Sequence, residues 1–496
     1  MTRPWTRRSF LAAGLAGLAG AGLADAPKVS LRPQARPAGL AVRAAPPATA
    51  LIDAARLGGD VSYAVVDAAS GQLLEAHAPA AGQPPASVTK ALTALYALET
   101  LGGGYRFTTR LIATGPVEKG VLKGDLVLAG GGDPTLDTDA LAQMAADLKQ
   151  AGVHAVQGRF RVWDGAMPFE RMIDPEQPAH VGYNPAVSGL NLNFNRVHFQ
   201  WKRESDGYAV SMDARTRKYR PDVQVARMAV AKRKTPVYTY KDAGDHDRWT
   251  VARWALGQGG ARWLPVRKPG AYAAEVFAIF ARSHGIPLRV APPLDGPPQG
   301  RTLVPHRSET LREILRGMLK YSTNLTAELV GMTATAARRD RAAPSLRASA
   351  QEMTDWAQHR LDIPDARLLD HSGLDEDSRL TAAGMAHALA DRRGTALPAL
   401  LKTIKMRDPH GRPDPDHPVQ VRAKTGTLYF VSSLAGYATL PGGRELAFAI
   451  FSADTGRRAD IDTTRDERPA GARAWNRRAK GLQQALIERW SAVHGT

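Results

Sequence analysis

Apolar positions along the chain change period twice, and the changes mark its parts. Leu92, Leu95, Leu98 and Leu101 recur at helical spacing among strong helix formers, predicting a helix from Val88 to Leu101 that ends at the glycines 102 to 104. Before it, Leu51 to Leu57 reads as a short helix. Tyr63 to Val66 and Leu73-Leu74, on either side of Ala69-Ser70-Gly71, read as a hairpin. Near the other end, Ser432 to Leu440 and Glu445 to Phe451 flank a Pro441-Gly442-Gly443 turn and lead to a helix from about Ala472 to Trp490. Strands at both ends with helices between them predict one α/β domain assembled from the two ends of the chain.

The middle follows a different pattern. Gly-rich and β-branched stretches at Gly124 to Gly132, Val153 to Trp163 and Val237 to Tyr240 precede a Pro-rich exit at Pro292, Pro293, Pro297 and Pro298. They predict a large, mostly-β insertion over 106–299, of one module or two nested ones. The α/β domain then takes 50–105 and 300–496. Residues 27–49, punctuated by Pro27, Pro33, Pro37, Pro46 and Pro47, read as a linker.

Residues 1–26 have the layout of a secretory signal. Arg3, Arg7 and Arg8 precede an apolar run from Phe10 to Leu23, which is short of the roughly 20 residues a spanning helix needs. Thr6-Arg7-Arg8-Ser9-Phe10-Leu11 resembles a twin-arginine signal. A basic N-terminal helix or anchor is the alternative. The expected mature protein is exported, to the periplasm, and is free or peripheral to a membrane; its oligomeric state is open.

Composition narrows the chemistry. The chain of 496 residues has no cysteine, which removes disulfides, thiolate metal sites and a cysteine nucleophile together. A net charge of +18 invites a nucleic-acid reading. Export argues against one, and the densest runs, Lys232-Arg233-Lys234 and Arg338-Arg339-Asp340-Arg341, lack interleaved aromatics for base stacking. Anionic wall or lipid polymers are the more plausible counter-charge.

Three short motifs then carry the chemistry: Ser87-Val88-Thr89-Lys90, Ser322-Thr323-Asn324 and Lys424-Thr425-Gly426. Lys90 follows Ser87 by one helical turn, so its amine can reach the serine hydroxyl and act as base if burial or a neighbouring cation keeps it neutral. Lys424 is a candidate for that cation. Ser322 can relay a proton to a leaving group, and Asn324 can hold Lys90 and a substrate amide. The backbone N–H of Ser87, with that of Thr427 or Leu428, can form an oxyanion hole. Gly426 allows close backbone approach, while Lys424, Thr425 and Thr427 present charge and hydroxyls to a substrate carboxylate. Taken singly, each motif is equally a helix cap or a turn.

The flanks carry a family resemblance. Pro85 to Thr93, Leu128 to Pro134, Asp370-His371-Ser372-Gly373-Leu374, Arg379-Leu380-Thr381 and Val421 to Leu428 resemble the D-alanyl-D-alanine carboxypeptidase/endopeptidase family, the low-molecular-mass class C penicillin-binding proteins. The likeness runs from about residue 50 to the C-terminus. It implies a penicillin-binding/β-lactamase-like transpeptidase domain, an antiparallel sheet with helices, and it accounts for the well over two hundred positions between Ser87 and Ser322 as the family's insert. It implies a serine hydrolase without a cofactor, acting on peptidoglycan stem peptides or their D-alanyl-to-diaminopimelate cross-links and acylated by β-lactams at Ser87. Asp164 matches a family position proposed to meet the diaminopimelate amino group, and Tyr183 to Ser188 resembles the segment leading back to the catalytic domain. The chain departs from the family at Thr323, often Asp, and near Phe430, usually small, where bulk is expected to narrow the cleft.

Two other functions compete. Asp408, His410, Asp416 and His417, or Asp242, Asp245, His246 and Asp247, could hold a metal, although neither set has helix-spaced ligands. The chain could also be a wall-binding scaffold that keeps the fold without turnover.

Overall fold

A computed structural model describes residues 45–408, 410–462 and 469–495. The expected signal segment and all but the last few residues of the expected linker lie outside the described residues.

Six antiparallel strands form the central sheet, in the order Lys402–Ile404, Gln420–Leu428, Val431–Thr439, Glu445–Ala453, Asp60–Asp67 and Leu73–His77. The N-terminal strand is therefore paired with the last one, with Tyr63 opposite Ile450 and Ala64 opposite Ala449. Both strands are buried on both faces, which is why they read as continuous apolar runs rather than clean alternation.

The pleat divides those runs between two cores. Tyr63, Val65, Leu446, Phe448 and Ile450 face the helices Ala48–Ala55 and Ala472–His494, where Trp475, Leu482, Leu486 and Trp490 pack. The alternate residues Ala64, Val66, Ala447, Ala449 and Phe451 face the helix Thr89–Leu101 and its neighbours. Small side chains on that face let the helix sit close to the sheet, and Thr89 to Ala97 are all buried.

Helices Leu311–Tyr321, Asn324–Arg339, Leu346–Arg360 and Ala382–Asp391 complete this layer. The first has Leu311, Ile314, Leu315, Met318 and Leu319 buried at helical spacing, and it stops at Ser322, which takes the left-handed conformation with φ 59°. Asn324 opens the next helix two residues later. The architecture is thus helices on both faces of an antiparallel sheet, with no closed barrel among the described residues.

The inserted segment contains a four-stranded sheet ordered Arg301–Arg307, Thr108–Ala113, Leu126–Ala129 and Phe160–Trp163. It also has two three-stranded sheets between Arg196 and Pro265 and the helices Thr138–Gln150 and Pro269–Ser283. Arg301–Arg307, placed beyond the insert by a boundary at 299, pairs with Thr108–Ala113 inside it. Leu111, Phe160, Phe199, Trp249 and Phe277 belong to one contiguous apolar core. Among the described residues no helix is long and apolar enough to cross a membrane.

Candidate active site

Ser87 lies in a single 3-10 turn, Ala86–Val88, that runs directly into the helix Thr89–Leu101. The preceding Ala86 has φ 45°, a conformation that costs a non-glycine residue of order 1–3 kcal/mol and persists only when the surroundings impose it. Here the surroundings are close-packed backbone. A Cβ on Gly373 would stand 1.9 Å from the Ala86 carbonyl oxygen, and one on Gly426 would stand 2.7 Å from the Pro85 carbonyl oxygen. Ser433 Oγ also donates to the Pro84 carbonyl at 3.2 Å. Two glycines therefore let the loop 370–375 and the strand Gln420–Leu428 press on the turn that presents the serine.

Lys90 is fully buried beneath Ser87. Its Nζ donates to Ser87 Oγ at 3.0 Å, to Asn324 Oδ1 at 2.7 Å and to the Ser372 carbonyl at 2.7 Å. Burial pulls the amine down to about 8, against the opposing pull of Asp370 and Glu328. Lys424, also fully buried, donates to Ser322 Oγ at 2.9 Å and to the Thr425 carbonyl at 2.7 Å. Burial, then Lys90 and Lys402, hold its amine well below the ordinary lysine range. Lys90 thus destabilises the charge on Lys424, and each lysine is tied to one serine.

The loop under Lys90 is fixed by a buried carboxylate. Asp370 accepts from the backbone N–H groups of Ser372, Leu374 and Asp375 at 3.0, 2.9 and 2.7 Å, so it orients the Ser372 carbonyl that Lys90 uses. Glu328 Oε2 accepts from the His371 N–H at 2.9 Å, and burial first, then Asp370, push its carboxyl up to about 8. His371 is buried too, with its ring against Ser349 Oγ at 2.8 Å, and burial pushes it down to about 3.

Ser87, Ser322, Asn324, Thr427 and Leu428 line one cavity of about 1660 Å3. Lys90 is hydrogen-bonded to the lining residues Ser87 and Asn324 and Lys424 to Ser322, and Thr425 and Gly426 share the strand Gln420–Leu428 with Thr427 and Leu428. Asp164 is elsewhere. It borders a separate cavity of about 400 Å3 with Arg171, Lys268 and Gly270, and its Oδ2 accepts from Ser188 Oγ at 3.3 Å.

Phe430 also departs from expectation. It is buried against Trp475, with ring centroids 6.1 Å apart, and so does not narrow the cleft. The exposed neighbour Tyr429 lines the cavity instead. Tyr183 lines it too, and its carbonyl accepts from Asn324 Nδ2 at 2.9 Å, which brings the inserted segment to the site.

Three of the acidic groups considered as metal ligands are engaged with donors. Asp408 accepts from the N–H groups of His410 and Arg412 at 2.9 and 2.8 Å; Asp242 pairs with Lys268 at 2.8 Å; Asp247 accepts from the Arg267 N–H at 2.7 Å. Among the described residues, no three His, Cys, Asp or Glu side chains converge as metal ligands would.

Sequence reasoning missed Glu328 and the role of Asp370. An Asp followed three residues later by Gly in a turn was the available signal for the second. Nothing in the sequence marks a helical glutamate as buried.

A mixed α/β fold of this topology, with two buried lysines each serving a serine at one cleft, is that of a penicillin-binding serine peptidase. The chain belongs to the D-Ala-D-Ala carboxypeptidase 3 (S13) family, whose sequence profile matches residues 47–473. It is 28% identical over 434 residues to the D-alanyl-D-alanine carboxypeptidase of Actinomadura sp. strain R39, covering 81% of this chain and 79% of that one. It is 25% identical over 413 residues to the D-alanyl-D-alanine carboxypeptidase DacB of Haemophilus influenzae, covering 74% and 79%. The fold matches the crystal structure of penicillin-binding protein 4 from Haemophilus influenzae with a TM-score of 0.72 over 89% of this chain and 99% of that one, at 21% identity. A second crystal structure of that protein, complexed with a β-lactam, matches with a TM-score of 0.70 over the same shares, at 20% identity. The chain is therefore a D-alanyl-D-alanine carboxypeptidase-type enzyme.

Proposed function

We propose that this enzyme cleaves the D-alanyl-D-alanine bond, and the D-alanyl-diaminopimelate cross-link, of peptidoglycan through an acyl-Ser87 intermediate. The observation that carries the reading is the 3.0 Å contact between Lys90 Nζ and Ser87 Oγ, made by a lysine with no solvent exposure.

Neutral Lys90 takes the Ser87 proton as Oγ attacks the carbonyl carbon of the penultimate D-alanine. The tetrahedral oxyanion is held by the Ser87 N–H and by that of Thr427 or Leu428, each such donor contributing about 3 to 4 kcal/mol. The C–N bond then breaks. Ser322, hydrogen-bonded to Lys424, passes its proton to the leaving amine and is reprotonated at the expense of Lys90, which is thereby neutral again. Water next attacks the ester, Lys90 takes its proton, and Ser87 leaves with a proton restored. Lys424 and the hydroxyls of Thr425 and Thr427 hold the terminal carboxylate, whose charge favours the protonated form of Lys424.

A β-lactam enters the same first step, and its leaving nitrogen stays tethered. The β-lactam complex of the Haemophilus influenzae relative supports this branch. The signal layout of residues 1–26 supports action in the periplasm, at the wall.

Fluorescent penicillin should label the wild-type chain at one equivalent and leave Ser87→Ala unlabelled, as read by gel fluorescence and intact mass. Absence of label on folded wild-type protein would sink the acyl-enzyme. Mass analysis of digested peptidoglycan separates the two hydrolytic activities, because loss of one alanine per stem marks the carboxypeptidase and conversion of dimers to monomers marks the endopeptidase.

A further inference from the structure

The cleft is larger than its chemistry requires. Its volume exceeds the roughly 300–1,000 Å3 of a typical small-ligand site, whereas the reacting dipeptide end fills only the part near Ser87. The remainder runs to the start of the helix Ala472–His494, and its lining holds six basic side chains against two acidic ones, Glu176 and Glu376.

Glu376 is already committed to an ion pair with Arg458. Arg473, Arg477 and Lys480 are exposed, and among the described residues none of them has an acidic partner. Their spacing puts them on one face of the helix together with Gln484, whose side chain donates to the Arg407 carbonyl and so fastens a fourth cation beside them. Arg473 also stands in the first helical turn, where the helix dipole disfavours a cation and no acidic residue offsets it.

The positive field is continuous with the reacting end. Lys480 depresses the Lys402 amine after burial does, and Lys402 in turn acts on Lys424. A concave wall of this kind does not fit a flat anionic membrane or a rigid duplex. It fits a flexible chain with separate carboxylates.

We infer that Arg473, Arg477 and Lys480 form a subsite for carboxylates carried by the acidic peptide away from its terminal D-alanine, so that the enzyme prefers stems with free carboxylates over amidated ones. This rests on the peptidase reading above, and the test keeps the two apart. Two fluorescent peptides ending in D-alanyl-D-alanine, one with free side-chain carboxylates and one amidated there, are titrated into the full chain carrying Ser87→Ala.

At low salt the acidic peptide should bind about tenfold more tightly, and the preference should fall to about twofold or less at 0.5 M salt, where the Debye length is only a few ångströms. Arg473→Gln, Arg477→Gln and Lys480→Gln combined should abolish the preference while the melting temperature holds. Equal binding of the two peptides, or a preference that survives the triple change, overturns the inference. So does tighter binding of inorganic polyphosphate than of the acidic peptide. Hydrolysis by the chain with Ser87 intact is read in parallel: preference without turnover keeps the subsite and removes the peptidase reading, and turnover without preference does the reverse.

Discussion

At the scale of single residues, the site turns on how a lysine is made basic without being free. All three of the Lys90 acceptors are in place, so the amine rests in its charged form and must release a proton before it can take one from Ser87. With the amine drawn down to about 8, the second-order rate of penicillin acylation should rise about tenfold per pH unit below that point and level above it. Glu328 favours the charged lysine. Glu328→Gln removes that pull, so the apparent pKa falls and the rising limb moves to lower pH; a limb that stays in place or moves up in stopped-flow profiles contradicts the coupling. Ser87, Lys90, Ser322, Asn324 and Lys424 were legible as candidates because their chemistry is local: a hydroxyl, an amine one turn away, a triplet at a helix junction. Glu328 was not, since its sequence environment is that of any helical glutamate and only tertiary burial makes it distinctive.

At the scale of elements, three backbones converge where side chains alone could not. The turn Ala86–Val88, the loop after Asp370 and the strand Gln420–Leu428 meet at distances that admit no Cβ. Gly373→Ala would place a methyl on the Ala86 carbonyl and also force an alanine to φ near 72°. It should cost about 3 kcal/mol or more, and calorimetry should show a lowered melting temperature together with lost penicillin labelling. The C-terminal helix follows its apolar period closely because it buries one face, whereas the helix Thr89–Leu101 is buried all round from Thr89 to Ala97 and the strands after Val431 are buried on both faces, so they read as near-continuous apolar runs. Phe430 misled for the opposite reason. Its place in the motif's wake suggested the cleft, but the tight turn at φ 57° aims it back at Trp475.

At the scale of the whole molecule, the two ends of the chain build one sheet and everything else hangs from it. Trp475 Nε1 donates to the Leu57 carbonyl, and Trp490 Nε1 and Arg489 both reach Glu75, so the last helix is sewn to the first strands. That an insertion interrupts the chain was readable from its change of composition. That its sheets share one core was not, because partners such as Leu111 and Phe277 are far apart in sequence. A chain ending at Thr439 keeps Ser87, Lys90, Ser322, Asn324 and Lys424 but loses the strand between Val431–Thr439 and Asp60–Asp67. It should show no cooperative melting and take no penicillin label; labelling of such a fragment would contradict the sheet's role. The pairing of Tyr63 with Ile450 also sets a timetable for synthesis. The segment bearing the reactive serine leaves the ribosome early, yet its supporting strand is among the last pieces made. A newborn chain therefore carries an inert serine for most of its time on the ribosome, and one threaded across a membrane before completion would arrive without a working site.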